Sequence, residues 1–268
     1  MAEDYVLYYI ISSANIIIDV INNDKGGFMV NKIICLGDSI TKGKVWNENE
    51  RRPYITENSY PSLLKNMLNL DVENIGICDI TSEMMLQHVE NNDIKFEKDS
   101  AVIIEIGGND CNPNWREIKK DPDGEHCPAI SLENFKCNLM KIIGTVKDYG
   151  AIPILSTLPP LDPERYFNLL RKIFGDGIKR WIDKNGGIFK WQERYSDVVN
   201  SIAGLQNVRL IDVRNAFLNT ENYKKYMSLD GVHPNEQGYL LIAKTCCRCL
   251  GKWLLPGGLK SDILMPKA

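Results

Sequence analysis

Histidine is scarce in this 268-residue chain, which holds only His88, His126 and His233. Any chemistry that needs an imidazole must use one of those three positions. An excess of one charge is lacking too, with 32 Lys and Arg against 35 Asp and Glu and a formal net charge of −3. The charges are mixed along the chain, without a basic stripe or basic–aromatic interleaving, which argues against nucleic acid as a partner. Metal-ligand spacing is also missing. Of the eight cysteines, Cys246, Cys247 and Cys249 are too clustered for a disulfide framework and have little in common with a tetrahedral zinc site. Cys35 and Cys78 lie in or beside apolar runs, and Cys137 in a helical pattern. They read as small buried hydrophobes in a reducing compartment, so the expected location is the cytoplasm. No metal or other cofactor is expected. Internal repeats and low-complexity tracts are absent.

The first residues lack a basic lead-in. Tyr5–Ile11 and Ile16–Ile21 are strongly apolar, but Glu3 and Asp4 precede them, and Asn15 and Asp19 interrupt them. Neither a secretory signal nor a membrane span is expected. Gly26-Gly27 forms a joint ahead of Met29. The expected division is an apolar extension, 1–28, followed by one domain, 29–268. An amphipathic helix in the extension would pack on its own domain or on a neighbouring subunit, giving a homo-oligomer.

What is present is 44% hydrophobic residues, enough for one substantial core. Strand-like runs occur at Lys32–Leu36, Val72–Ile75, Ala101–Ile106, Ile152–Ser156 and Val208–Ile211. Helical patterns alternate with them, at Tyr60–Asn69, Thr81–Val89, Leu132–Tyr149, Ile178–Gly204 (broken at Gly186-Gly187) and Asn235–Leu254. This alternation predicts βαβ units and a parallel sheet covered on both faces, with functional loops at the carboxyl ends of the strands. Three excursions leave from that edge. They are Lys44–Asn58, Cys111–Ile130 and Pro159–Gly177, and Trp46 and Trp115 are the expected substrate contacts within them. His88 and His126 read as surface polar residues.

Gly37-Asp38-Ser39 follows the first strand-like run, which places a serine hydroxyl where the chain turns into a helix, beside free N–H groups. A serine needs a base to become a nucleophile, and His233 in Asp230-Gly231-Val232-His233 is the best candidate. Gly107-Gly108-Asn109-Asp110 ends the third run, where Asn109 offers an N–H₂ donor to a developing oxyanion.

With these blocks the chain resembles the SGNH (GDSL-type) hydrolases over roughly residues 31 to 252. The resembling blocks are Gly37-Asp38-Ser39-Ile40-Thr41-Lys42-Gly43, Gly107-Gly108-Asn109-Asp110 and Asp230-Gly231-Val232-His233-Pro234-Asn235. The resemblance implies a flavodoxin-like three-layer α/β/α sandwich on a five-stranded parallel sheet. It implies Ser39 as nucleophile, His233 as base, Asp230 as its orienter and Asn109 as an oxyanion donor beside the Ser39 N–H. The remaining family block, Asn-x-Gly-x-x-Gly-x-Thr, is matched by Asn74-Ile75-Gly76-Ile77-Cys78-Asp79-Ile80-Thr81. Asp79 stands where the second glycine supplies an oxyanion N–H. It is expected to give the same backbone donor, the alternative being a cap for the next helix, and Gly76 is expected to make a tight turn.

The activity implied is hydrolysis of small-molecule esters without a cofactor, with short-acyl esters such as O-acetyl esters of small carbohydrates favoured. Alternatives are an acyltransferase, lysophospholipase or thioesterase on the same triad, and a non-catalytic binding protein that has lost its oxyanion hole at Asp79.

Overall fold

Four residues of the first strand, Ile33, Ile34, Cys35 and Leu36, are completely buried. A strand is buried on both faces only when a layer covers each side of its sheet. The computed structural model describes residues 30–47 and 52–254, and shows both layers. The expected extension, 1–28, lies outside the described residues. The strands are β1 (Lys32–Gly37), β2 (Lys44–Asn47), β3 (Arg52–Ile55), β4 (Asp71–Gly76), β5 (Ser100–Glu105), β6 (Ile152–Ser156) and β7 (Arg209–Ile211). The helices are α1 (Ser39–Lys42), α2 (Tyr60–Leu68), α3 (Ser82–Glu90), α4 (Trp115–Lys120), α5 (Leu132–Asp148), α6 (Pro163–Phe174), α7 (Ile178–Lys184), α8 (Lys190–Leu205), α9 (Val213–Leu218) and α10 (Glu236–Leu254).

Five strands form one parallel sheet in the order β4-β1-β5-β6-β7. Side chains alternate across it. On one face Ile34, Leu36, Val102 and Ile104 pack with Leu86, Leu139, Ile143, Val199 and Ile202 from α3, α5 and α8. The buried positions of α5, Phe135, Leu139, Ile142 and Val146, recur every three or four residues, and Ser131 caps its first turn by accepting the Asn134 N–H. On the other face α2 and α10 meet through the Cys247 and Met67 sulfurs at 3.6 Å. There the Tyr60 hydroxyl lies against the Cys35 thiol, whose pKa burial pushes up to about 12.

Register places the site. Gly37 is level with Gly76 of β4 and with Glu105 of β5. The segments beyond those residues, leading to Ser39, Asp79 and Asn109, therefore leave the sheet side by side. A Cβ on Gly37 would run into the Thr41 side chain and the Glu105 carbonyl, so glycine is required by close approach. Beneath α1 lies a buried polar column. Tyr60 and Thr41 are bonded hydroxyl to hydroxyl at 3.0 Å, and the Thr41 hydroxyl donates to Glu105 Oε2 at 3.2 Å. Glu105 Oε1 has no hydrogen-bond partner. Burial first, and the Asp38 carboxyl second, raise the Glu105 pKa well above the usual carboxylate range.

One departure from the sequence reading stands out, and one expectation is met. The excursions contain regular structure: β2 and β3 form an antiparallel hairpin with Trp46 opposite Pro53, and α4 and α6 occupy the other two. Such short segments, one with a proline inside a strand, carry too little periodicity to register. The predicted 178–204 helix is two helices, α7 and α8, and the expected break is present at Gly186 and Gly187 with φ of 79° and 107°.

Gly37→Ala is expected to destabilise the fold by about 1–3 kcal/mol, as overpacking does, measured by denaturant unfolding. Glu105 gives a pH signature. Its folded pKa lies above the unfolded value, so the unfolded chain loses this proton first, and stability falls as pH rises above about 4.3. Glu105→Gln should remove that slope, so its stability relative to wild type should grow between about pH 5 and 8. Parallel curves would show that Glu105 ionises as it does in water.

Candidate active site

Asp38 ends the first strand's exit and caps the helix behind it. Its Oδ1 accepts the Ile40 N–H at 2.9 Å, which makes Ser39 the first residue of the four-residue helix α1. Ser39 Oγ lies 2.9 Å from His233 Nε2, and His233 Nδ1 lies 2.6 Å from Asp230 Oδ2. An ionised Asp230 only accepts, so Nδ1 carries the ring proton and Nε2 is left to take the serine proton. Burial would raise the Asp230 carboxyl. The His233 ring outweighs it, helped by the Val232 and His233 N–H groups at 2.9 and 3.0 Å on Oδ1, and the net pKa is lowered.

The loop carrying this pair is gripped from α6. Gly231 has φ of 73°, and a Cβ there would strike the Tyr166 N and the Asp162 carbonyl. Asp162 N–H donates to the Gly231 carbonyl at 2.8 Å, and Arg165 Nη1 donates to the Met227 carbonyl at 2.7 Å. Nothing in the sequence reading singled out Asp162. The aspartate-proline pair at a helix start was the available signal.

Asn109 Nδ2 spends one hydrogen on the Ile80 carbonyl at 2.8 Å, which orients the amide. Asp110, quoted in the sequence but given no role, locks two blocks together. Its carboxylate accepts the Ser82 N–H at 3.0 Å and the Ser82 hydroxyl, tying Gly107–Asp110 to the start of α3. Burial, opposed by those Ser82 bonds, leaves its pKa raised.

Asp79 keeps the backbone shape of the glycine it stands for. Its φ is 61°, in the left-handed region that aspartate tolerates better than most residues. Its N–H has no acceptor among the described residues, and neither has that of Ser39. The side chain is 83% exposed and lies 3.8 Å from Lys44 Nζ. Solvent and the lysine both weaken its field at the reaction centre. The helix-capping alternative does not hold, because Thr81 caps α3 by accepting the Met84 N–H at 3.4 Å. Gly76 is likewise not a turn residue. A Cβ there would collide with the Lys42 backbone, so it serves the close approach of α1 to β4.

Ser39, Asp79, Asn109 and His233 all line one cavity of about 190 Å³. Of the two expected aromatic contacts, Trp115 is on its wall. Trp46 is not: it sits in the hairpin, and its N–H donates to Ser228 Oγ at 3.4 Å. The sequence reading missed Trp181, Ile188, Trp191 and Gln192, which complete the wall. The signal was there, as apolar residues on either side of Gly186-Gly187. His88 pairs with Asp93 and His126 with the Asp121 carbonyl, both exposed and neither on the wall. Among the described residues no group of three His, Cys, Asp or Glu side chains is arranged to hold a metal ion, and no helix is long and apolar enough to cross a membrane.

The fold is similar to solved structures. A lipase/acylhydrolase from Enterococcus faecalis shares 19% identity over 81% of this chain and 93% of its own, with a TM-score of 0.56. An acetylxylan esterase from Geobacillus stearothermophilus shares 22% over 85% and 96%, also with a TM-score of 0.56. In sequence, the chain is 25% identical over 202 residues to an uncharacterized lipoprotein of Bacillus subtilis (strain 168), YqeF, covering 74% of this chain and 73% of that protein. The model of the GDSL-like lipase/acylhydrolase family matches residues 35–241. Most of the chain and all four blocks fall within that match, and the protein is a hydrolase belonging to the GDSL-like lipase/acylhydrolase family.

Proposed function

We propose that the protein is a serine esterase that cleaves short-acyl carboxylic esters through an acyl-Ser39 intermediate. The observation that carries this reading is the continuous hydrogen-bonded chain from Ser39 Oγ through His233 to Asp230, at 2.9 and 2.6 Å, facing a cavity. His233 Nε2 takes the Ser39 proton as Oγ attacks the ester carbonyl. Asp230 holds the ring in the right tautomer and steadies the imidazolium. The N–H groups of Ser39 and Asp79 and the second Asn109 amide hydrogen stabilise the oxyanion. The C–O bond to the alcohol then breaks, and His233 returns its proton to that oxygen. Water enters, gives a proton to His233 and attacks the acyl carbon, after which the acid leaves and Ser39 regains its proton.

Asp79 is the position on which a non-catalytic reading would rest. Its positive φ and unaccepted N–H support catalysis instead, since the family's glycine contributes only backbone there. Small ester substrates fit a cavity of this size, and the acetylxylan esterase similar in fold points to O-acetyl carbohydrates as one class to assay. We place the enzyme in the cytoplasm on the same footing, supported by the buried thiols of Cys35, Cys111 and Cys247.

Ser39→Ala should lower hydrolysis of p-nitrophenyl acetate or butyrate by at least about 10³-fold; equally slow turnover by both proteins would end the esterase reading. Asp79→Pro removes the N–H and forbids positive φ, and should cost about 10²–10³ in kcat. Asp79→Gly should stay within about tenfold of wild type. A fully active, folded Asp79→Pro enzyme would exclude this N–H as a donor.

A further inference from the structure

Part of the cavity wall is built from its own small core. Trp115, Trp181 and Ile188 pack there with Ile118, Leu170, Ile178 and Ile182, drawn from α4, α6, α7 and the segment before α8. Trp181 stacks on Trp191 with centroids 5.5 Å apart, and Trp115 meets Trp181 edge-on at 5.8 Å. These rings are held from behind, so the wall keeps its shape without a ligand.

The polar atoms in this part are largely spent on the protein itself. Asn112 Oδ1 accepts both the Trp115 indole N–H at 2.7 Å and the Tyr166 hydroxyl at 3.1 Å. Gln192 donates to the Pro159 carbonyl at 2.9 Å and accepts from Arg214 Nη1 at 3.1 Å. Both amide oxygens thus already accept, and the side-chain groups left without an acceptor among the described residues, the Asn112 amide hydrogens and the Trp181 and Trp191 indole N–H groups, are all donors. A sugar ring buried here would leave hydroxyl donors unmatched, which is costly in an apolar site. An alkyl or aryl group brings no hydroxyl donor that needs an acceptor.

Size separates the remaining options. An apolar cavity of about 150 Å³ accepts benzene, and this one measures about 190 Å³ including the space at Ser39. An acetyl group would leave most of it empty. A chain of roughly six to eight carbons would fill it. Chemistry decides which half of the ester goes in. Between the two half-reactions the alcohol must leave and water must enter, whereas the acyl group stays bonded to Ser39 throughout. The ring-walled part therefore suits the half that stays.

Resting on the serine-esterase reading, we infer that the Trp115–Trp181–Trp191 part of the cavity is an acyl-chain pocket. It keeps the serine-esterase chemistry but replaces the short-acyl preference with esters of medium-length, unbranched or aryl acids, away from acetyl esters of sugars. Ile188, at the break between α7 and α8, bounds it.

The test is kcat/KM on p-nitrophenyl acetate, butyrate, hexanoate, octanoate and decanoate, with Ser39→Ala subtracted at every length. Each methylene that enters the pocket should raise kcat/KM by up to roughly fourfold. The maximum should fall at hexanoate or octanoate, at least about tenfold above acetate. Ile188→Phe, which narrows the pocket without emptying the core, should lower the octanoate-to-acetate ratio about tenfold or more. Trp191→Leu should lengthen the preferred chain. A parallel series of acetates from ethyl to octyl alcohol should stay flat. A maximum at acetate, or a length preference carried by the alcohol series, overturns the pocket while leaving the esterase reading intact. Loss of Ser39-dependent turnover at every length removes the esterase reading itself.

Discussion

The site depends on three neighbouring strands ending level with one another. Gly37, Gly76 and Glu105 share one register line across β1, β4 and β5. Two of these positions tolerate no side chain, because α1 folds back directly onto the strand ends. From that line the chain needs only a few residues to bring the Ser39 and Asp79 N–H groups and the Asn109 amide to one cavity. A register slip of one residue would reverse every side chain of a strand. Gly37 and Gly76, whose close contacts leave no room for the side chain a slip would bring there, are what prevent it. The cost is a buried carboxyl, Glu105, whose pKa burial and the Asp38 carboxyl raise beneath the helix carrying Ser39.

Opposite this rigid edge the base is supplied by a loop, and the loop is also restrained. Arg165 and Asp162 hold its backbone, and Asp230 holds both the imidazole and two of the loop's own N–H groups. One carboxylate thus shapes the loop and aligns the ring. Asp79 follows the same economy. The family position calls for a backbone conformation and an N–H, and an aspartate supplies both while its carboxylate stays exposed to solvent near Lys44.

Much of this was legible in the sequence because it resides in short apolar runs and in residue types with narrow roles. The five core strands, the serine after Gly37 and the Asp230–His233 loop are of that kind. What was illegible depended on tertiary contact. Nothing local distinguishes Asp79 as a backbone donor from Asp79 as a helix cap; the Thr81 cap removes the second, and the φ of 61° is compatible with the first. Trp46 and Trp115 looked alike as loop tryptophans. Pairing opposite Pro53 takes Trp46 away from the cavity, while α4 turns Trp115 toward it. Trp181 and Trp191 were hidden inside a helical pattern, where an aromatic stripe reads as ordinary core.

The central claim is that Ser39 Oγ forms a covalent bond during turnover. A p-nitrophenyl alkylphosphonate offers a phosphorus centre to the same attack, releases p-nitrophenolate and leaves a Ser–O–P bond that water does not readily break. The account predicts one equivalent of p-nitrophenolate per protein chain, complete loss of esterase activity, and mass mapping of the phosphonyl group to the peptide containing Ser39. An adduct on any other residue, or esterase activity that persists in fully phosphonylated protein, would contradict it.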